Sequence, residues 1–297
     1  MPISLVFVSK NKTLIKHSLR LLLLIVSGIL VLAILVCFFY SKFYAADHKY
    51  FLKDFSDESF KVNNFKPLRV AHAGGALGEL TYTNSLQALT ENYSKGFRYF
   101  EIDFNLTSDE KLICLHDWGE KFTELWGVTL KNKVTFSEFE SLTRNNNANV
   151  TACTLKSLAD WMVDYPDAVI ITDVKKDNIN SLKIIKTYLP NSNDRVIPQI
   201  YQPENFFKVR LLGFENIIWT LYKFEGDVED VYRWVEIFFG NYAVTMGRGM
   251  NFTPSLARNL AKKDIPTYVH TINSNSAMNR YKKFHGFSEI YTDYLAP

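Results

Sequence analysis

The sequence predicts a (β/α)8 TIM barrel preceded by an N-terminal transmembrane helix. Apolar, strand-like runs alternate with amphipathic, helix-like stretches over most of the chain, which is typical of a barrel with parallel strands. Histidines and carboxylates recur where these strand-like runs end, and in such a barrel those ends meet at one mouth. A long uncharged apolar stretch near the N-terminus predicts the additional helix.

Residues 21–40 form the predicted transmembrane helix. The segment carries no charge, and only Ser27 and Gly28 interrupt its apolar character. Its length matches the roughly 20 residues that a helix needs to cross the hydrocarbon core, and it lacks the polar face of a surface helix. A cleaved signal peptide is the alternative, although its apolar core is usually shorter, about 7–15 residues. Because Tyr44-Ala45-Ala46 makes a poor cleavage site, we expect a retained anchor.

The charges around this segment predict its orientation. Residues 1–20 form a basic tail that contains Lys10, Lys12, Lys16 and Arg20, whereas lysines and acidic residues are mixed after the apolar stretch. The more basic flank of a membrane span usually stays in the cytoplasm. We therefore expect a single-pass protein with a cytoplasmic N-terminus and with the barrel on the extracytoplasmic side, either periplasmic or extracellular.

Residues 41–66 are predicted to be a juxtamembrane spacer, and residues 67–297 are predicted to form the barrel. The spacer mixes aromatic residues such as Phe51 and Phe55 with charged ones, as is usual beside a bilayer. No repeat follows it, and the remaining length fits one domain.

The first two predicted strands carry ionisable residues at or near their ends. The apolar run 68–71 leads into His72 and a glycine-rich loop, which a ligand could approach closely. In the run 98–106, Glu101 and Asp103 alternate with apolar residues, so both carboxylates lie on one face of the strand. Carboxylates spaced in this way suit Mg²⁺ or Ca²⁺.

A polar turn at 107–111 separates the second strand from the run 112–115, which leads directly into His116. The stretch from Glu101 to the turn is nearly as long as the stretch from the turn to His116, so a hairpin would place His116 beside the carboxylate pair. Cleavage of a phosphodiester requires positive charge near the phosphate oxygens and groups that exchange protons near neutral pH. Two imidazoles beside a cation would supply both.

The remaining strand-like runs complete eight strands if the strand before His116 is an insertion above the barrel mouth. These runs are 168–174, 196–201, 217–221, 242–246, 266–271 and 288–292, and helix-like stretches at 155–165, 179–188, 203–212 and 254–263 lie between them. At the later strand ends, the candidates for lining the pocket are Gln199, Tyr201, Tyr222 and His270.

Together these motifs resemble the glycerophosphodiester phosphodiesterase family, within the phospholipase C-like superfamily of TIM-barrel phosphodiesterases. The resemblance extends from about Pro67 to Pro297. It rests on His72-x-Gly74, Thr83-Asn84-Ser85, Glu101-x-Asp103, Thr107-x-Asp109, His116-Asp117, Thr154-Leu155, Asp173-x-Lys175, Thr271-x-Asn273 and Ile290-Tyr291-Thr292-Asp293.

The resemblance implies a phosphoric diester hydrolase that acts on a glycerophosphodiester or another phospholipid-derived phosphodiester. His72 and His116 would be its catalytic acid/base pair. The ligands of a divalent metal ion, Mg²⁺ or Ca²⁺, would be Glu101, Asp103 and Asp173.

The substrate-binding residues that the resemblance implies are Lys175, Asn84 and Asp117. Lys175 lies two residues after Asp173 and would reach the phosphate. Asn84 could instead cap the helix that follows it. Asp117 could instead orient His116 or hold its loop.

Two departures from the family pattern bear on the substrate. The family usually has Arg after the first histidine, where a guanidinium grips phosphate at two points, and this chain has Ala73. Asp173 stands where the family usually has Glu. Both features resemble the sphingomyelinase D branch, which implies a lyase that forms a cyclic phosphate as the runner-up. A non-catalytic barrel that binds a phosphorylated ligand is the alternative from another class.

The composition limits the partners that we expect. The net charge is +3 and the lysines and arginines are dispersed, so no basic stripe indicates nucleic-acid binding. The three cysteines, Cys37, Cys114 and Cys153, lack metal-site spacing and make no disulfide framework evident. The resemblance implies a phosphodiester substrate as a partner, and the apolar stretch near the N-terminus predicts a membrane as another.

Overall fold

The computed structural model describes residues 62–144, 150–174, 176–249 and 253–297. The predicted basic tail, the predicted transmembrane helix, most of the predicted spacer and Lys175 lie outside these residues. Within the described ranges, no helix combines the length and the apolar character that crossing a membrane would require.

Eight parallel strands close into a barrel, which confirms the predicted TIM-barrel fold. The first strand pairs with both the second and the last, so no open edge remains between them. In chain order the barrel strands are β1 (Val70–Ala71), β2 (Tyr99–Leu106), β4 (Val169–Val174), β5 (Val196–Ile200), β6 (Asn216–Thr220), β7 (Asn241–Gly247), β8 (Thr267–His270) and β9 (Glu289–Thr292). The short strand between β2 and β4, β3 (Leu112–Cys114), is antiparallel to β2 and is not a barrel strand.

Helices surround the barrel. They are α1 (Leu86–Ser94), α2 (Glu120–Trp126), α3 (Phe136–Arg144), α4 (Leu155–Asp164), α5 (Asn178–Tyr188), α6 (Ser192–Arg195), α7 (Asn205–Leu211), α8 (Val228–Val235), α9 (Thr253–Ala261) and α10 (Asn275–Asn279).

The alternation of residues along β2 separates the barrel interior from its helical coat. Phe100, Ile102 and Phe104 are fully buried in the outer core, where strands meet helices. Glu101 and Asp103 face the interior, as the period of two predicts. Carboxylates on an inward face can reach groups from the other strands, whereas the outward face supplies the burial that holds the helices.

A second hydrophobic cluster fills the lower barrel interior. Val70, Ile171, Ile218 and Tyr268 belong to it, and Phe65 packs against Tyr268 with a ring-centroid distance of 6.3 Å. Residues 62–66 thus include a core residue of the barrel, although the sequence suggests a spacer up to residue 66. Glu101 and Asp103 lie above this packed layer, at the mouth of the barrel.

The hairpin predicted from 98–116 is present. Strand β3 (Leu112–Cys114) pairs antiparallel with β2, with Phe104 opposite Cys114. The backbone N–H of Leu115 donates to the carbonyl of Asp103 at 2.9 Å, which brings the next residue, His116, to the carboxylate strand. A hydrophobic cluster that includes Phe122 and Phe139 supports this insertion above the barrel.

A disulfide joins Cys114 and Cys153, although no disulfide framework is evident from the sequence. The two cysteines are 39 residues apart in the chain, but Cys114 N–H donates to the carbonyl of Cys153 at 3.0 Å. Tertiary pairing of β3 with the segment before α4 creates this contact, which sequence spacing does not reveal. The disulfide anchors the strand that presents His116.

We expect the double variant Cys114→Ser/Cys153→Ser to lower the free energy of unfolding by about 2–4 kcal/mol, because the unfolded chain regains the entropy of the open loop. Guanidinium unfolding followed by tryptophan fluorescence would measure the change. The matched control is Cys37→Ser, which leaves the disulfide in place and should not shift the midpoint. An unchanged midpoint in the double variant would contradict a stabilising disulfide.

Candidate active site

A cavity of about 190 Å³ opens at the carboxyl ends of the barrel strands. This is the end at which TIM barrels place their active sites. Its walls are formed by His72, Tyr82, Glu101, Asp103, His116, Asp173, Gln199, Tyr222, His270, Thr271 and Tyr291. Both predicted catalytic histidines and all three predicted metal ligands therefore lie around one space.

Three buried carboxylates form the floor of the site. Strands β2 and β4 pair in parallel with Asp103 opposite Asp173, and Glu101 lies two residues earlier on the same face as Asp103. One oxygen from each of the three residues lies within 4.8 Å of the others. Each residue is at most 7% exposed.

This donor set fits a divalent cation. Hard cations such as Mg²⁺ and Ca²⁺ prefer carboxylate oxygens, and three negative charges this close together repel one another unless a cation or protons neutralise them. Glu101, Asp103 and Asp173 are thus the residues that could hold the metal. The sequence predicted this set, and the fold brings its members together.

His72 is held by Asp293 at the end of β1. The Nδ1 atom of His72 lies 2.8 Å from Oδ1 of Asp293, while Nε2 lies 3.9 Å from Oε2 of Glu101. Burial alone lowers the pKa of His72, but the hydrogen bond to Asp293 and the nearby carboxylate charges outweigh it and raise the pKa to about 9. With Nδ1 bound to a carboxylate, Nε2 is the nitrogen that can exchange a proton in the cavity.

Asp293 is itself positioned by Asn273. Its Oδ2 accepts a hydrogen bond from Nδ2 of Asn273 at 2.6 Å, and its backbone N–H donates to Oδ1 of Asn273 at 2.8 Å. Sequence reasoning noted both segments but assigned neither residue a role. Asn273 follows β8 and Asp293 follows β9, the strand that pairs with β1. These positions at strand ends were the signal in the sequence that could have indicated a contact with His72.

His116 has a carboxylate partner of its own. Its Nδ1 lies 2.7 Å from Oδ2 of Asp117. Oδ1 of Asp117 accepts backbone N–H bonds from Gly119 at 2.7 Å and Lys121 at 3.3 Å, at the start of α2. Asp117 thus orients His116 and also holds its loop, which were the two alternatives to its predicted contact with substrate.

Asn84 supports Asp103 from behind. Its Nδ2 donates to Oδ2 of Asp103 at 3.0 Å, and its Oδ1 accepts from the backbone N–H of Asp103 at 2.9 Å. Asn84 is 1% exposed and is not among the residues that line the cavity. The cap of α1 is Ser85, whose side chain accepts from Ala88 N–H, so Asn84 does not cap that helix. The structure therefore places Asn84 against a predicted metal ligand and away from the substrate space.

Ala73 contributes through its backbone. Its N–H donates to Oε2 of Glu101 at 2.8 Å, and its φ of 49° is in the left-handed region. The methyl side chain offers no grip on phosphate, as the sequence indicates. Lys175, the predicted replacement, lies outside the described residues.

Aromatic and polar residues make up the wall across from the histidines. Tyr222 donates a hydrogen bond from Oη to Oδ2 of Asp173 at 3.2 Å. Burial and the charge of Asp173 raise the pKa of Tyr222, which keeps the phenol protonated as a donor. Oγ1 of Thr245 lies 3.1 Å from Nδ1 of His270. Gln199, Tyr222 and His270 line the cavity as the sequence suggested, whereas Tyr201 packs behind Tyr222.

Tyr82 is the cavity residue that sequence reasoning missed altogether. It lies in the loop between His72 and Asn84, and its ring contacts both predicted catalytic histidines. An aromatic residue in the glycine-containing loop after His72 was the only signal in the sequence.

The chain matches a known protein family and resembles several solved structures. Residues 74–295 match the glycerophosphoryl diester phosphodiesterase family. A glycerophosphodiester phosphodiesterase from Thermotoga maritima is 19% identical and superposes with a TM-score of 0.58, covering 78% of this chain and 96% of its own. The corresponding enzyme from Parabacteroides distasonis is 18% identical, with a TM-score of 0.59 and coverages of 79% and 86%.

A third similar structure is an Oleispira antarctica phosphodiesterase in complex with the product sn-glycerol-3-phosphate. It is 16% identical, with a TM-score of 0.57, and covers 77% of this chain and 93% of its own. These structural likenesses support the barrel fold, and the family match extends over nearly all of the described residues.

We expect Asn84→Ala to weaken binding of Mg²⁺ or Ca²⁺ by about 10–100-fold, because the partner that orients Asp103 is lost. Calorimetric titration of the chelator-treated protein would measure the dissociation constant. The matched control is Asn180→Ala, since Asn180 also donates to an aspartate, Asp177, but outside the cavity. Equal metal affinities in the two variants would argue against this positioning role.

Proposed function

This chain belongs to the glycerophosphoryl diester phosphodiesterase family and is a phosphoric diester hydrolase, and on that premise we propose a metal-dependent hydrolysis of glycerophosphodiesters. The observation that carries the proposal is the meeting of three buried carboxylates with two histidines, each backed by its own aspartate. A site that only binds a phosphorylated ligand does not need two such proton carriers.

In this proposal Glu101, Asp103 and Asp173 hold the cation. When bound, a divalent cation supplies positive charge that stabilises the phosphate oxygens as negative charge develops on them. Tyr222 keeps Asp173 oriented through its hydrogen bond, and Ala73 N–H does the same for Glu101.

The two imidazoles divide the proton transfers between them. Nδ1 of His72 is bound to Asp293 and Nδ1 of His116 is bound to Asp117, so each ring exchanges protons through Nε2. One Nε2 accepts a proton from the attacking water as its oxygen bonds to phosphorus. The other Nε2 protonates the alcohol oxygen as the old phosphorus–oxygen bond breaks.

A small glycerol phosphate group is the substrate part that best suits the cavity. The volume of about 190 Å³ leaves space for a compact group rather than for a whole lipid. The Oleispira antarctica relative binds sn-glycerol-3-phosphate as its product, and we propose the same product here. Ala73 and Asp173 favour the cyclising lyase reaction as the second candidate, because both depart from the family pattern in the direction of that branch.

We expect the metal-loaded protein to release choline and glycerol phosphate from glycerophosphocholine, and His72→Ala and His116→Ala each to lower kcat by about 10²–10⁴-fold. A chelator should abolish the reaction, and added Mg²⁺ or Ca²⁺ should restore it. Phosphorus NMR in ¹⁸O-water separates the two chemistries: hydrolysis places one ¹⁸O in the product, whereas attack by a substrate hydroxyl forms a cyclic phosphate without it.

The matched control for the histidine variants is His285→Ala, because His285 does not line the cavity. If the product is a cyclic phosphate, the protein catalyses the lyase reaction and the proposal of hydrolysis is wrong. The wild type and both histidine variants could instead show the same activity on every member of a panel of phosphodiesters. That result would contradict the proposal that this site is catalytic.

We also propose that residues 21–40 anchor the barrel on the extracytoplasmic side of a membrane. The uncharged apolar stretch and the basic tail before it support this orientation. The disulfide between Cys114 and Cys153 gives independent support, because disulfides persist in oxidising compartments and are rare in the cytosol.

We expect alkaline phosphatase fused after Pro297 to be active in intact bacterial cells, because that enzyme folds only outside the cytoplasm. A green fluorescent protein fusion at the same point is the reciprocal control and should be dark when exported unfolded. Deletion of residues 1–40 should move the protein out of the membrane fraction. A bright fluorescent fusion with a silent phosphatase fusion would reverse the proposed orientation.

A further inference from the structure

Tyr82 contacts both catalytic histidines. Its ring centroid lies 4.7 Å from that of His72 and 4.8 Å from that of His116, and the corresponding interplanar angles are 83° and 72°. Near-perpendicular packing at these distances is a favoured arrangement for aromatic rings. One tyrosine thus serves as the common packing partner of two side chains that come from different parts of the chain.

Tyr82 is also tied to the loop that carries His116. Nζ of Lys121 lies over the Tyr82 ring, 5.2 Å from its centroid. The backbone N–H of Lys121 donates to Asp117, the same aspartate that orients His116. A closed circuit of contacts therefore runs through Tyr82, Lys121, Asp117 and His116. Movement of the Tyr82 ring would disturb the imidazole at two points.

The backbone at Tyr82 is in a conformation that tyrosine rarely adopts. Its φ is 58°, in the left-handed region that favours glycine. Ala73 and Asn84, with φ of 49° and 46°, are in the same region of the same loop. Such conformations persist where the surrounding structure holds them, and they cluster at functional sites. A glycine at position 82 would relieve this strain but would remove the ring.

We propose that Tyr82 is a positioning residue that holds the imidazoles of His72 and His116 in place on either side of the scissile phosphate. This inference rests on the proposed function. In-line displacement at phosphorus requires the attacking and leaving oxygens on opposite sides, so the two proton carriers must be kept apart. Both imidazoles pack against the ring of Tyr82. This positioning role requires the ring and does not require the phenol hydroxyl to take part in the reaction.

Three substitutions at this position separate the ring from the hydroxyl and from the backbone strain. Tyr82→Phe keeps the ring and should leave kcat for glycerophosphocholine within about threefold of wild type. Tyr82→Ala and Tyr82→Gly should lower kcat by about 10–100-fold, because misplacement of catalytic groups by about 1 Å costs this much. KM should change much less, since the carboxylates that would hold the phosphate-binding cation are untouched.

Folding is controlled by the glycine variant and by a matched tyrosine elsewhere. Tyr82→Gly should melt at or above the temperature of Tyr82→Ala, because glycine accepts positive φ. Tyr281 packs near-perpendicular on His285, with a centroid distance of 5.4 Å, outside the cavity, so Tyr281→Ala should keep the wild-type kcat. A low kcat in Tyr82→Gly without a lower melting temperature would assign the loss to imidazole positioning.

The crystal structures of wild type and Tyr82→Gly provide a second readout that does not depend on activity. Displaced or disordered imidazole rings of His72 and His116 in Tyr82→Gly would support the positioning role. This holds even if the wild type cleaves no glycerophosphodiester, because that result would refute only the proposed function. Unchanged rings, a kcat within about threefold of wild type for Tyr82→Gly, or a Tyr82→Phe variant as impaired as Tyr82→Ala would overturn the positioning role.

Discussion

The site is organised around the repulsion among three buried carboxylates. Oxygens of Glu101, Asp103 and Asp173 lie within 4.8 Å of one another. At an effective dielectric constant of about 20, two unit charges roughly 4 Å apart interact by about 4 kcal/mol. Their burial is therefore costly without a compensating cation or protons. This requirement links the architecture of the barrel mouth to the proposed metal dependence of the reaction, because the fold brings the three groups together.

The residues around these carboxylates limit their freedom to move apart. Asn84 holds Asp103 through two hydrogen bonds, Ala73 N–H holds Glu101, and Tyr222 holds Asp173. The imidazoles of His72 and His116 are restrained in the same way by Asp293 and Asp117. A site whose ligands and proton carriers are already oriented loses less entropy and reorganises less when substrate binds.

The insertion that carries His116 is the part of the site that least resembles a simple barrel. Its strand β3 runs against the direction of the barrel strands, and Cys114 is linked to Cys153 just before α4. The disulfide is two residues from His116, so the covalent link restrains the strand that presents this imidazole. A tether of this kind suits an oxidising compartment, which is consistent with the basic N-terminal flank and the proposed extracytoplasmic barrel.

The sequence by itself determined the barrel, the hairpin and the five central residues of the site. The strand and helix periodicities are local properties, and Glu101 and Asp103 share a face whatever the rest of the chain does. His72 and Asp173 could be placed because strand ends in a parallel barrel converge on one mouth. These features depend on the order of residues along single elements.

Only the tertiary structure decided which side chains support that centre. Asn84 lies against Asp103, Asp293 binds His72, and Tyr82 packs against both imidazoles. The members of each pair come from segments separated by turns or by the whole barrel. The link between Cys114 and Cys153 has the same origin. Such contacts depend on barrel closure, on loop conformations with positive φ and on ring packing, and none of these leaves a periodic signal in the sequence.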